Sequence, residues 1–258
     1  IKENFTIELN AFSPSEIHQM HLVSGKPYYD ILAELKAAGL SGLPGGGAEI
    51  LDDRIRKRVS PKKIGADKWI EIMRVAQRLD LTTTATMVIG FGEDVEHRLE
   101  HLSRLRKLQD ESILGGFDGF NAFISWPLQH NENTSMGRSR HRSKYGASSV
   151  EYLRNLAAAR IFLHNIPHHQ ASWPTCGVQV ASIGLHFGCD DFGSTMMEEN
   201  VVSTAGAPTE FCGSMSPEDL RFHISEAGFI PAQRDSSFNI VQVFENQDSE
   251  YKKLTALG

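Results

Sequence analysis

Cysteine is scarce in this 258-residue chain, and the three present, Cys176, Cys189 and Cys212, are odd in number and widely spaced. That distribution fits reduced thiols rather than a disulfide framework, and neither a cluster-binding CxxxCxxC nor a zinc-type CxxC occurs. Long basic runs are also missing and the net charge is -6, which argues against nucleic acid as a partner and favours small-molecule chemistry. No apolar run approaches the ~18 residues of a membrane span. The opening IKENFTIELN shows neither part of a signal peptide, so a soluble, cytoplasmic protein without a membrane partner is expected. GxSxG, HExxH and GxxxxGK[ST] are absent, which leaves hydrolase, zinc-protease and P-loop chemistries without residues. His164 and His168 are separated by Pro167, a break that takes them off a common helix face, and no metal ligands are expected there.

The chain has 40% hydrophobic and 22% charged residues, enough to bury a core, and its length suits a single α/β domain over residues 1–258. Alternation from Phe5 to Phe12 reads as a strand. Ser13-Pro14-Ser15-Glu16 follows with an N-cap, a first-turn proline and a capping glutamate. A second helix over Tyr29 to Lys36 ends at Gly39, before a strand at Leu40 to Leu43. Trp69, Ile70, Met73, Ala76 and Leu79 mark a helix, and the β-branched run Thr82 to Ile89 a strand. A charged helix over Val95 to Leu108, a strand over Phe120 to Trp126 and a helix from Val150 to Ile161 continue the alternation. Between the last two lies a polar stretch, His130 to Ser149, read as a long loop. A short strand through His169 to Trp173, a helix over Val178 to Phe187, a strand and loop at Cys189 to Thr195, and a helix capped by Ser216-Pro217-Glu218-Asp219 complete it. Six strand-helix units predict a parallel sheet and a partial TIM-type (β/α) barrel, two units short of closure.

The segment Gly42 to Leu51, GLPGGGAEIL, stands out. Three consecutive glycines let the backbone take unusual dihedrals and approach a ligand closely, and Glu49 is expected where the loop turns into a helix. Glu93, Gln129, Ser172 with Trp173, and Asp190-Asp191 with Ser194 and Thr195 also follow predicted strands. In a barrel these ends converge on one mouth, where ligands bind. Taken singly, Glu49 and Glu93 are as readily helix caps, Trp173 core, and Asp190 and Asp191 N-caps.

GLPGGGAEIL, VSPKKI with Trp69 after it, TTATM, LSRLRKLQD, FISWPLQ, HQASW, DDFGSTMMEENVVSTAGA and EAGFIPAQRD together resemble the radical S-adenosylmethionine enzymes of menaquinone and deazaflavin biosynthesis, over nearly the whole chain. The serine of ASW and the run FGSTMMEENVV are most similar to the cyclic dehypoxanthine futalosine synthases. The sister aminofutalosine and deazaflavin (F0) synthases are alternatives, as is a cluster-less ligand-binding barrel without catalysis. Some positions depart from the family pattern. Gly90-Phe91-Gly92-Glu93 stands for GHxE, Gln77 for a histidine, and Ser112-Ile113-Leu114 is inserted. With CxxxCxxC missing and the chain starting in a strand-like run, the expectation is an N-terminally truncated barrel lacking its first two units, inactive as given.

The resemblance implies S-adenosylmethionine and a 4Fe-4S cluster whose ligands are not in this chain, an external flavodoxin- or ferredoxin-type electron donor, and a nucleoside substrate cyclised through a 5′-deoxyadenosyl radical. It places Gly45, Gly46, Gly47, Glu49, Lys63 and Glu93 on the cofactor. Gln129, Trp126, Trp173 and Arg234 fall on the substrate, and Asp191, Glu199 and Ser172 in catalysis.

Overall fold

The computed structural model describes residues 1–196, 201–207 and 215–245. Along the chain run α1 (Pro14–Ser24), α2 (Tyr28–Ala37), β1 (Gly42–Leu43), α3 (Asp53–Val59), α4 (Ala66–Arg78), β2 (Thr82–Ile89), α5 (Val95–Leu114) and β3 (Phe120–Pro127). They are followed by α6 (Ser149–Phe162), β4 (His168–Gln170), α7 (Trp173–Cys176), α8 (Val178–Leu185), α9 (Val201–Thr204), α10 (Pro217–Glu226), β5 (Ala232–Arg234) and β6 (Ile240–Val243). Strands β1 to β4 form one parallel sheet in chain order. Parallel bridges lengthen it on both sides, Asn10 to Gly42 and Gln170 to Asp191. These are the six expected strand positions, with the outer two reduced to a bridge each. A segment with one neighbour has half the ladder bonds of an inner strand, and Phe5 and Ile7, from the alternating run, stand 61% and 51% exposed.

Helix α4 shows how the layers hold. Its buried residues Trp69, Ile72, Met73 and Ala76 recur at helical spacing, and fully burying a large apolar side chain contributes roughly 1.5–3 kcal/mol. Trp69 stacks on Phe120 of β3 at 6.2 Å between ring centroids. Two of the unusual positions meet here: Ser112 Oγ donates to Gln77 Oε1 at 2.6 Å, and Gln77 Nε2 donates to Thr83 Oγ1 at 3.2 Å, all buried. The extra residues Ser112 to Leu114 simply lengthen α5.

Strand register separates the two faces of the sheet, because side-by-side residues of parallel strands point the same way and successive residues alternate. Thr83, paired with Phe120, faces the helices, as do Ala85 with Phe123 and Met87 with Ser125. The other face, here termed inner, carries Thr84, Thr86 and Val88, then Ile124 and Trp126, then His168 and Gln170, and ends at Asp191.

Two local expectations are revised. The helix after the glycines begins at Asp53 rather than at Glu49, because Gly47 at φ 76° and Glu49 at φ 47° are left-handed and cannot start a right-handed helix. Asp52 caps it instead, accepting from Arg54 N at 2.8 Å. Ser13 precedes α1 without a side-chain cap bond, whereas Ser216 and Asp219 form a reciprocal capping box on α10. The antiparallel pair β5 and β6 was not foreseen.

Candidate active site at the strand ends

All strands of the main sheet run the same way, so the loops after them open on one side, and their backbones are tied to one another. Gly45 N donates to Thr84 Oγ1 at 3.2 Å, Val88 N to Glu49 O at 2.9 Å, Leu128 N to Ile89 O at 2.8 Å, and Gly146 N to Gly90 O at 2.8 Å. Gly45 could carry no side chain, since a Cβ there would lie 2.2 Å from Thr84 O.

The triple-glycine loop has its carbonyls held from behind. Thr86 Oγ1 donates to Gly45 O, Trp69 Nε1 to Gly46 O at 3.3 Å, and Arg56 to Gly47 O at 3.1 Å and to Ala48 O. The loop therefore turns its N–H edge away from these donors, while Gly46 and Gly47 pack against the start of α1, where an added Cβ would lie 3.5 Å from Ser13 Cβ and 3.3 Å from Ser15 Oγ. Glu49 beside them is one of few non-glycine residues at positive φ, a conformation that costs of order 1–3 kcal/mol and gathers at functional sites. Its carboxylate, 14% exposed, pairs with Lys63, which is 42% exposed. An acid and an ammonium beside a free N–H edge match a zwitterionic amino-acid group, so these residues fit the methionyl end of S-adenosylmethionine.

Glu93 is placed differently. Its side chain is fully buried and accepts from Gly90 N at 2.9 Å, Phe91 N at 2.6 Å and Arg98 Nε at 2.9 Å. Arg98 also pairs with Glu151. The carboxylate thus shapes the second loop and has little left to offer a ligand.

On the inner face, Asp191 is 7% exposed and saturated with donors. Gln170 Nε2 reaches it at 2.9 Å, Gly193 N at 2.8 Å, and Arg234 through Nε and a terminal nitrogen. Strand β5 thereby brings Arg234 over the sheet, and the next contacts hold it: the guanidinium lies 4.0 Å from the Phe238 ring centroid, and Phe238 stacks on His168 at 4.2 Å. His168 in turn bonds Asp190 at 2.9 Å. Trp126 lies on the same face, paired with Val88. Gln170 was missed as a site residue, although its alternation with His168 in HHQ carried the period-2 signal.

Ser172 and Gln129 are joined through Thr175: Thr175 Oγ1 donates to Ser172 Oγ at 2.9 Å, and Gln129 Nε2 to Thr175 O at 2.9 Å. Gln129 borders a cleft of about 440 Å³ lined also by Leu128, His130, Tyr152 and Cys176. Trp173 is 5% exposed and its Nε1 has no partner among the described residues. An unpaired buried donor is costly, and this one lies toward Gly193, at the mouth. Glu199 lies outside the described residues.

A 4Fe-4S cluster needs several thiolates, and the described residues do not fit one. Burial pushes both Cys176 and Cys189 up to about 12, so they stay protonated thiols at neutral pH. No group of three or more His, Cys, Asp or Glu among the described residues could hold a metal. Nor is any described helix long and apolar enough to cross a membrane.

Comparison with known proteins shows the family and the fold. The Radical SAM superfamily matches residues 2–105, and the CofH/MqnC C-terminal region matches residues 117–247. The chain is 44% identical over 253 residues to the cyclic dehypoxanthine futalosine synthase of Halalkalibacterium halodurans, covering 98% of this chain and 64% of that one. It is 37% identical to the aminodeoxyfutalosine synthase of Thermus thermophilus, covering 96% of this chain and 65% of the relative. It is 39% identical to the 5-amino-6-(D-ribitylamino)uracil–L-tyrosine 4-hydroxyphenyl transferase of Archaeoglobus fulgidus, covering 91% and 65%. The chain therefore spans just under two thirds of the length of these relatives. Among solved structures, methylornithine synthase (PylB) superposes with a TM-score of 0.60 at 15% identity, over 80% of this chain and 56% of that one. The fold is that of a partial (β/α) barrel.

Proposed function

The chain belongs to the CofH/MqnC family of the radical S-adenosylmethionine superfamily, and from that membership we propose that it acts in menaquinone biosynthesis, in the cytoplasm, cyclising dehypoxanthine futalosine. The observation that carries the choice of reaction is the 44% identity to a cyclic dehypoxanthine futalosine synthase over 98% of the chain, against 37% to an aminodeoxyfutalosine synthase. When bound, S-adenosylmethionine supplies the radical chemistry, with a cluster and an external one-electron donor that the described residues do not provide.

The residues described here bind, orient and exclude water. Gly46 and Gly47 let the backbone lie against the cofactor, Glu49 accepts from its ammonium or ribose, and Lys63 pairs with its carboxylate. The Glu49–Lys63 pair presents the two charges that complement those of a zwitterion. Glu93 contributes by holding the second loop in shape. Toward the substrate, Trp126 and Trp173 supply apolar walls, and Gln129 a polar edge. Arg234, turned toward the inner face by Asp191, meets the benzoate carboxylate with the N–H groups that Asp191 leaves over. Ser172 completes the described part of the site as a polar group near the reacting ring, and the catalytic role expected of Glu199 falls outside the described residues.

Single-turnover assays on the full natural enzyme test this. Asp191→Asn weakens the hold on Arg234 and is expected to lower the yield of cyclised product about ten-fold or more, the loss of one charge-assisted contact. Ser172→Ala is expected to lower it less. Unchanged product formation in both variants would remove these residues from the site, and cofactor binding without any turnover of the futalosine substrate would favour the ligand-binding reading.

A further inference from the structure

Helix α3 carries DRIRKRV, and its basic last turn would ordinarily be explained by the negative end of the helix dipole. The contacts show something else. Arg56 is 2% exposed, and its guanidinium reaches Ile64 O at 2.9 Å, Gly47 O at 3.1 Å and Ala48 O. Arg58, two residues on and so about 200° around the helix, reaches Phe91 O at 2.9 Å and Gly92 O at 3.3 Å. One side chain thus grips the loop after β1, and the other grips the loop after β2. No carboxylate pairs with Arg56 among the described residues, and burial pushes its pKa down. Burying an arginine on carbonyls alone is expensive, and the planar fork, which a lysine cannot imitate, suits several carbonyls at once.

We propose that Arg56 and Arg58 are positioning residues that lock the first two strand-end loops to one helix, so that the triple-glycine edge meets the cofactor in a single conformation. The second half of this statement rests on the assignment of that edge to S-adenosylmethionine. With the carbonyls of Gly47 and Ala48 drawn inward to Arg56, and those of Gly45 and Gly46 to Thr86 and Trp69, the peptide planes have one orientation left, N–H outward. Loosening Arg56 frees two of these four planes.

The test is peptide-level hydrogen exchange on the full natural enzyme carrying Arg56→Lys or Arg58→Lys, together with titration of S-adenosylmethionine. Arg56→Lys is expected to raise exchange about ten-fold at the two hydrogen-bonded amides that flank the loop, Gly45 N and Leu51 N, with the β2–β3 pairing unchanged, and to weaken cofactor binding about ten-fold. Arg58→Lys, at an exposed position, acts first on residues 91–93 and serves if Arg56→Lys folds poorly. Unaltered loop exchange and affinity in both variants overturn the proposal, and so does a uniform rise through β2 and β3, which marks general stabilisation. A wild-type enzyme that binds no S-adenosylmethionine overturns the cofactor assignment instead, and exchange alone then judges the bracing.

Discussion

Acidification below pH 6.5 is expected to destabilise the protein steeply, through two buried histidines. His101 is completely buried and accepts Leu51 N–H through Nδ1 at 2.9 Å, and burial pushes its pKa from 6.5 down to about 3. His169, 1% exposed and with no well-formed hydrogen bond to either ring nitrogen among the described residues, is pushed down by burial to about 4. Both are neutral in the native state and protonate readily only on unfolding. Their stabilisation is therefore fully present above pH 6.5 and is lost as pH falls toward the folded values, by about 1.4 kcal/mol per pH unit for each. Asp52 and Glu111, held low by Arg54 and Arg74, push in the same direction at lower pH. Denaturant unfolding at several pH values reads the slope. His169→Leu should remove about half of it between pH 6 and pH 4.5, and should add about 1 kcal/mol at pH 7 by deleting two unsatisfied polar atoms. An unchanged slope in that variant contradicts the assignment.

Replacing Glu93 with alanine should cost about 3–5 kcal/mol, the range for breaking one side of a buried ion pair. Its carboxylate is fully buried against Arg98, which is 15% exposed, and it also satisfies Gly90 N and Phe91 N. Arg98 keeps Glu151 as a partner, which points to the lower half of that range. Glu93→Gln keeps one acceptor oxygen and should lose less. The urea midpoint measures both variants. A loss below about 1 kcal/mol from Glu93→Ala would put the pair in the class of surface salt bridges and deny it a role in shaping the loop.

The inner part of the fold was legible because its signals are local. Thr82 to Ile89 and Phe120 to Trp126 declare strands by composition, and the Trp69 to Leu79 spacing declares a helix. The outer strand near Phe5 was harder, because alternation says nothing of how many neighbours a strand will have. The β5–β6 pair was missed although Asp235 to Asn239, which closes on itself through Asp235 Oδ1, carries turn residues; the strands either side are too short to announce themselves. At the site, strand ends located Glu49, Asp191 and Trp126, but partnership is nonlocal. Arg234 and Asp191 are 43 positions apart, and only the folded chain shows that one holds the other. Likewise Glu93 reads as ligand or cap with equal ease until Gly90 N and Phe91 N are seen to fill it. No pattern in RIRKR distinguishes the buried guanidinium of Arg56 from the exposed ones.

Isothermal titration of S-adenosylmethionine into the full natural enzyme and its Glu49→Gln and Lys63→Met variants tests the central claim, that the chain is organised around a cofactor-binding glycine loop. Each substitution deletes one charge of a zwitterion-matching pair, and hydrogen bonds to charged groups contribute about 1.5–3 kcal/mol. The account predicts saturable binding by the wild type and an affinity at least ten-fold weaker in each variant, with Tm unchanged. Wild-type affinity in both variants would contradict it.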